Sequence, residues 1–149
     1  MPPHSTAPAP VSADDYRALA EFRYQIRCFL SFSERAAREA GIEPQQHQLL
    51  LVIKGLPPEQ RPTIGTLAAR LCVAHHSAVA LVDRLVAAEL VARDRGVEDR
   101  REVVVSITRR GEQLLASLSV LHKAQLQSVG PLLRDALGAI LDQRASAVL

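Results

Sequence analysis

The residue pattern predicts a mainly helical fold carrying one small β-hairpin, and three observations lead there. Apolar residues recur at intervals of three and four over most of the chain. Hydrophobic residues make up 48% of the sequence but aromatics only 3%, with no Trp, so any core is aliphatic and suits packed helices. β-Branched residues concentrate in one place, on both sides of a polar turn, in "LVARDRGVEDRREVVVSI", Leu90 to Ile107.

The elements follow in order. Residues 1–12 hold four of the nine prolines and little that is apolar, which predicts a disordered tail ahead of one folded unit over 13–149. Ser12 with Asp15 makes a start resembling a capping box, and a long helix should run from about 14 to 40 and stop at Gly41. Its apolar positions, Leu19, Phe22, Ile26, Phe29, Ala36 and Ala40, keep nearly coiled-coil spacing. At 1.5 Å per residue such a helix reaches about 40 Å, which outruns a small core and asks for a partner subunit. Pro44 suits the first turn of "QQHQLLLVIKG", which ends at Gly55, and "LPPEQRP" is a loop. Thr63 caps "IGTLAARL", a turn at Cys72–Ala74 follows, and a second short helix runs from His75 to about Ala88. Its stripe Ala78, Leu81, Val82, Leu85 faces inward, leaving His75, His76, Val79, Ala80, Asp83 and Arg84 on the other side. After the hairpin, Thr108 caps a helix to about Ser128. Gly130-Pro131 should break it before a last helix to about Ala145.

Two short helices joined by a tight turn, followed at once by a basic hairpin, form a winged helix-turn-helix, here over about 44–108, between long helices at about 14–40 and 109–146. Its chemistry suits duplex DNA. The N-terminal residues of the second helix, His75, His76 and Ser77, would stand at base edges or phosphates, Val79 could meet a thymine methyl, and Ala80 and Arg84 lie on the same side. The net charge is only +2, but six arginines fall between Arg93 and Arg110. Arg93, Arg95, Arg100 and Arg101 flank the hairpin turn with Asp99, where guanidinium suits a narrow minor groove.

"TIGTLAARL", "LVDRL", "LVAR", "DRR" at Asp99–Arg101 and "VSITRRGEQLL" together resemble the MarR family of winged-helix transcriptional regulators. The likeness extends over nearly the whole chain from residue 14. It implies a homodimer held by its terminal helices on a pseudo-palindromic operator, acting as a repressor or, less often, an activator. It also implies a response to a small aromatic or phenolic effector, or to thiol oxidation. Asp99 and Arg101 match the wing motif, in which the arginine enters the minor groove and the aspartate buttresses the loop. Two positions depart from the pattern: Glu89 stands where the family commonly has Gly, and Ala74 where the second helix usually has a capping Ser. His75 is a candidate to take over part of that cap.

Arg23, Tyr24, Arg27 and His47 are the candidate ligands for an anionic aromatic effector, since arginine forks onto carboxylates. The plainer reading pairs Arg23 and Arg27 with exposed acids and makes His47 a structural histidine. Cys28 is a candidate redox thiol, and Cys72 reads as a small core residue. His75 and His76 point about 100° apart on a helix and cannot easily share one metal ion. No Gly-rich phosphate loop, no supported nucleophile–base spacing and no paired carboxylates point to an enzyme or a cofactor. With two separated cysteines, no signal peptide and no apolar run of membrane length, the expected compartment is the cytoplasm. A protein-interaction module using the same winged face stands as the alternative to a DNA-binding regulator.

Overall fold

The computed structural model describes residues 10–146, so nearly all of the expected N-terminal tail lies outside the described residues. In chain order the elements are α1 (Ala13–Glu39), α2 (Pro44–Gly55), α3 (Ile64–Leu71), α4 (His75–Ala87), β1 (Val91–Arg95), β2 (Val103–Ile107) and α5 (Arg109–Ser146). They fall into two compact units. One comprises the chain up to Ser31 and from Ala124 onward; the other is Phe32–Lys123.

α1 starts on the reciprocal box expected of it. The Ser12 N–H donates to Asp15 Oδ2 at 2.7 Å, and the Asp15 N–H donates to Ser12 Oγ at 3.1 Å. Those bonds to Ser12 hold the Asp15 carboxyl below the usual carboxylate range. The buried positions of α1 are Ala18, Gln25, Ser33, Ala36 and Ala37. Gln25 and Ser33 are invisible to a count of apolar residues, and Leu19, which that count includes, is exposed.

Three helices end in the same way. Gly41, Cys72 and Glu89 have φ of 87°, 55° and 60°. In each case that residue's N–H bonds three residues back, to the carbonyls of Arg38, Ala69 and Val86. The next N–H bonds five back: Ile42 to Ala37, Val73 to Ala68, Leu90 to Leu85. This is the Schellman motif, whose left-handed position favours glycine. Only the first of the three has one. Cys72 is therefore exposed, against the expectation of a core residue: the left-handed turn sends its side chain to solvent, and its neighbour Val73 is the one that turns inward.

The core of Phe32–Lys123 gathers Leu49 and Leu50 from α2, Leu67 from α3, Leu81, Val82 and Leu85 from α4, Val91 and Val105 from the hairpin, and Leu115 and Leu118 from α5. β1 and β2 pair antiparallel, Val91 with Ile107 through Arg95 with Val103. The segment before α3 adds a single bridge, Thr63 to Val104, and the Val105 N–H donates to the Pro62 carbonyl at 2.9 Å.

The "TRRG" that opens α5 is a cap and a close approach. Thr108 Oγ1 donates to the Glu89 carbonyl at 2.8 Å and accepts from the Gly111 N–H at 3.1 Å, while the Thr108 N–H donates to the Leu90 carbonyl at 3.0 Å. A Cβ on Gly111 would lie 2.1 Å from the Leu90 oxygen. Downstream, α5 does not break at Gly130-Pro131; it runs through Pro131 to Ser146. A proline inside a helix removes one i→i−4 bond and crowds one carbonyl, which bends a helix more readily than it ends one when the apolar pattern continues on both sides, as it does here from Val129 to Leu133.

Candidate nucleic-acid interface

α4 and the hairpin belong to the same compact unit. Ala78, Leu81, Val82 and Leu85 anchor α4 in the core. His75, His76, Ala80, Asp83 and Arg84 are exposed on its other side, with Ser77 and Val79 half-buried. The N-cap, Ala74, has extended backbone and no side-chain hydrogen bond to the first turn, so neither Ala74 nor His75 caps the helix.

The wing loop, residues 96–102, is built from its own polar groups. Asp99 Oδ1 accepts from the Arg101 N–H at 2.9 Å, which is the buttress expected of it. The Glu102 N–H donates to the Asp99 carbonyl at 3.1 Å, and the Gly96 N–H to the Glu102 carbonyl at 2.8 Å. Gly96 is required: a Cβ there would sit 2.6 Å from the Asp99 oxygen and 2.9 Å from Arg61 Nη2. Arg61, from the loop before α3, supports the wing from below through Glu102 at 2.5 Å.

The four wing arginines have different occupations. Arg93 pairs with Asp83 of α4. Arg95 Nη1 donates to the Arg100 carbonyl at 3.1 Å and so staples the loop. Arg101 is 94% exposed, with Asp99 3.5 Å away, and Arg100 is exposed beside it. Sequence reasoning grouped all four together. The engagement of Arg93 and Arg95 depends on partners that no spacing rule supplies.

The proposed effector residues are not all of one kind. Arg23, Tyr24 and Arg27 are exposed on α1, in the unit formed by the chain ends. No ion pair joins Arg23 or Arg27 to an acid among the described residues. The Cys28 thiol one turn on is the main cause that raises the Tyr24 pKa. His47 is buried in the other unit. Its ring lies 4.7 Å from that of His122, which also meets Phe32 edge-on at 5.7 Å. His122 Nδ1 donates to the Leu118 carbonyl at 2.6 Å, and Nε2 is hydrogen-bonded to Ser33 Oγ at 2.6 Å. Burial, and then the nearby His122, push the His47 pKa down. Ser33 and His122 are 89 residues apart in sequence, so this cluster had no local signal. Elsewhere in the same unit, a cleft of about 380 Å³ is walled by Ile42, Ala88, Leu90 and Leu114, with Arg110 and Gln113 among its polar groups.

No single helix among the described residues is long and apolar enough to cross a membrane; α3 and α4 meet that test only jointly, bent by 106°.

A helix-turn-helix whose second helix is anchored on one side and polar on the other, followed by a two-stranded wing, defines the winged-helix class. The MarR family model matches residues 40–102, the segment that holds α2, α3, α4 and β1, so this part of the chain is similar to MarR proteins. YkoM, an HTH-type transcriptional regulator of Bacillus subtilis, is 25% identical over 113 residues, covering 74% of this chain and 71% of its own. AbsC, a MarR family transcriptional regulator from Streptomyces coelicolor, superposes with a TM-score of 0.69 at 16% identity over 81% of each chain. The transcriptional repressor CouR, bound to a 23-mer DNA duplex, does so with a TM-score of 0.63 at 23% identity, over 95% of this chain and all of its own. These two likenesses establish the shared fold.

Proposed function

We propose that the protein is a sequence-specific regulator that binds a pseudo-palindromic operator as a homodimer and acts as a repressor released by a small aromatic or phenolic effector. The observation that carries this reading is the pairing, within one unit, of an exposed polar helix face with a wing tip ending in Arg100 and Arg101. In it, His75, His76, Ser77, Val79, Ala80 and Arg84 address the major groove. Arg101, held in its loop by Asp99, enters the minor groove with Arg100 beside it. The uncapped first turn of α4 leaves its amides for a phosphate oxygen. Exposed apolar residues at the chain ends, Leu19 on α1 and Leu132, Leu137 and Leu141 on α5, favour a second copy as the partner. The cleft beside Arg110 has the size and the mixed lining that a small aromatic acid would need.

Selection of DNA fragments by the purified protein tests the reading: enrichment of an inverted repeat supports it, and recovery without any common sequence overturns it. On the selected site, Arg101→Ala should weaken binding and reduce the slope of log K against log salt by about 1. An unchanged slope and affinity would remove the wing from the interface.

A further inference from the structure

Arg93 belongs by sequence with the wing arginines, and a duplex-binding protein could use it on a phosphate. Its setting in the hairpin gives it another task. The register places Arg93 opposite Val105, and residues directly opposite share one face of the ladder. Val105 is fully buried, so that face is the one turned toward the helices, and the Arg93 side chain leaves its edge to reach α4. There Arg93 Nη2 meets Asp83 Oδ1. Asp83 is exposed on the side of α4 that also carries Ala80 and Arg84. A carboxylate in that position would repel a polyanion unless a cation accompanied it.

We propose that Asp83 and Arg93 form a brace that fixes β1 to α4, so that the wing tip and the helix N-terminus hold one setting relative to each other, and that Arg93 is a positioning residue and not a phosphate contact. The consequence for DNA rests on the function proposed above; the brace itself is a property of the free protein. The ion pair of Arg61 with Glu102 in the wing loop, the Thr63–Val104 bridge and the Val105 N–H bond to the Pro62 carbonyl tie the loop and β2 to the segment before α3, so the hairpin keeps these anchors when the brace is cut.

The test is a double-mutant cycle of Asp83→Ala and Arg93→Ala, read in two ways. Without DNA, amide hydrogen exchange of Val91–Arg95 should rise about two- to five-fold in each single variant and no further in the double variant, as fits the loss of one partly exposed pair. The charge exchange Asp83→Arg with Arg93→Asp should restore protection. With the selected DNA, Asp83→Ala and Arg93→Ala should both weaken binding, with the salt slope unchanged. Additive exchange effects, or a charge exchange that restores nothing, would overturn the brace. A slope reduced by about 1 in Arg93→Ala, with binding unchanged or tighter in Asp83→Ala, would make Arg93 a phosphate contact instead. If no DNA site is ever selected, the regulatory reading fails, while the exchange cycle still decides the brace.

Discussion

Glu89, just past the end of α4, and Gly111, in the first turn of α5, show how single side chains are fixed by backbone demands. Glu89 occupies the left-handed end of a Schellman motif at φ 60°, a conformation that costs an L side chain about 1–2 kcal/mol. Among the described residues its side chain pairs with Arg110 at 3.6 Å, and both are well exposed, so the pair returns little. Glu89→Gly should therefore raise stability by about 1 kcal/mol, visible as a higher urea midpoint. At Gly111 the reverse holds. The first turn of α5 approaches the Leu90 carbonyl so closely that any Cβ clashes with backbone, which cannot swing aside. Gly111→Ala should lower stability by about 3 kcal/mol or more by the same measurement. The sequence marks both positions, one by a missing glycine and one by a glycine in "TRRG", but only the backbone path explains why the first is tolerated and the second is obligatory.

At the scale of the element, α4 combines strong anchoring with a weak start. Four buried residues hold it, yet Ala74 contributes no cap. Ala74 already has the extended backbone of an N-cap residue, so Ala74→Ser should add a hydrogen bond to the first turn and about 1 kcal/mol of stability. If a DNA phosphate uses those same amides, the substituted protein melts higher but binds the selected operator more weakly. Equal or tighter binding would place the phosphate elsewhere. α5 makes the complementary point about local signals. Gly130-Pro131 reads as an end to a helix, but one missing hydrogen bond did not outweigh an apolar pattern that resumes at once beyond it.

At the scale of the whole molecule, α1, α2 and α5 are joined within Phe32–Lys123 by a polar cluster in an otherwise aliphatic core: Ser33, His47 and His122. Burial and the proximity of His122 depress the His47 pKa, so the unfolded chain binds a proton at His47 more readily than the folded one. The contribution is complete above the ordinary histidine value of about 6.5 and is lost as pH falls below it toward the depressed folded value. Urea midpoints measured between pH 8 and pH 5 should fall on the acid side, and His47→Leu should flatten that fall. An identical profile in the variant would locate the acid sensitivity elsewhere.

Helix periodicity, the capped starts at Ser12 and Thr63, the stop at Gly41, the helix-turn-helix with its wing, and the family likeness were all present in the residue order, because each rests on neighbours within a few positions. The division of the wing arginines between Asp83, the Arg100 carbonyl and solvent, the pairing of Ser33 with His122, and the close approach at Gly111 were decided by the fold. Each joins groups whose meeting depends on how packed elements are placed, and spacing along one chain carries no record of which distant atoms will come within hydrogen-bonding reach.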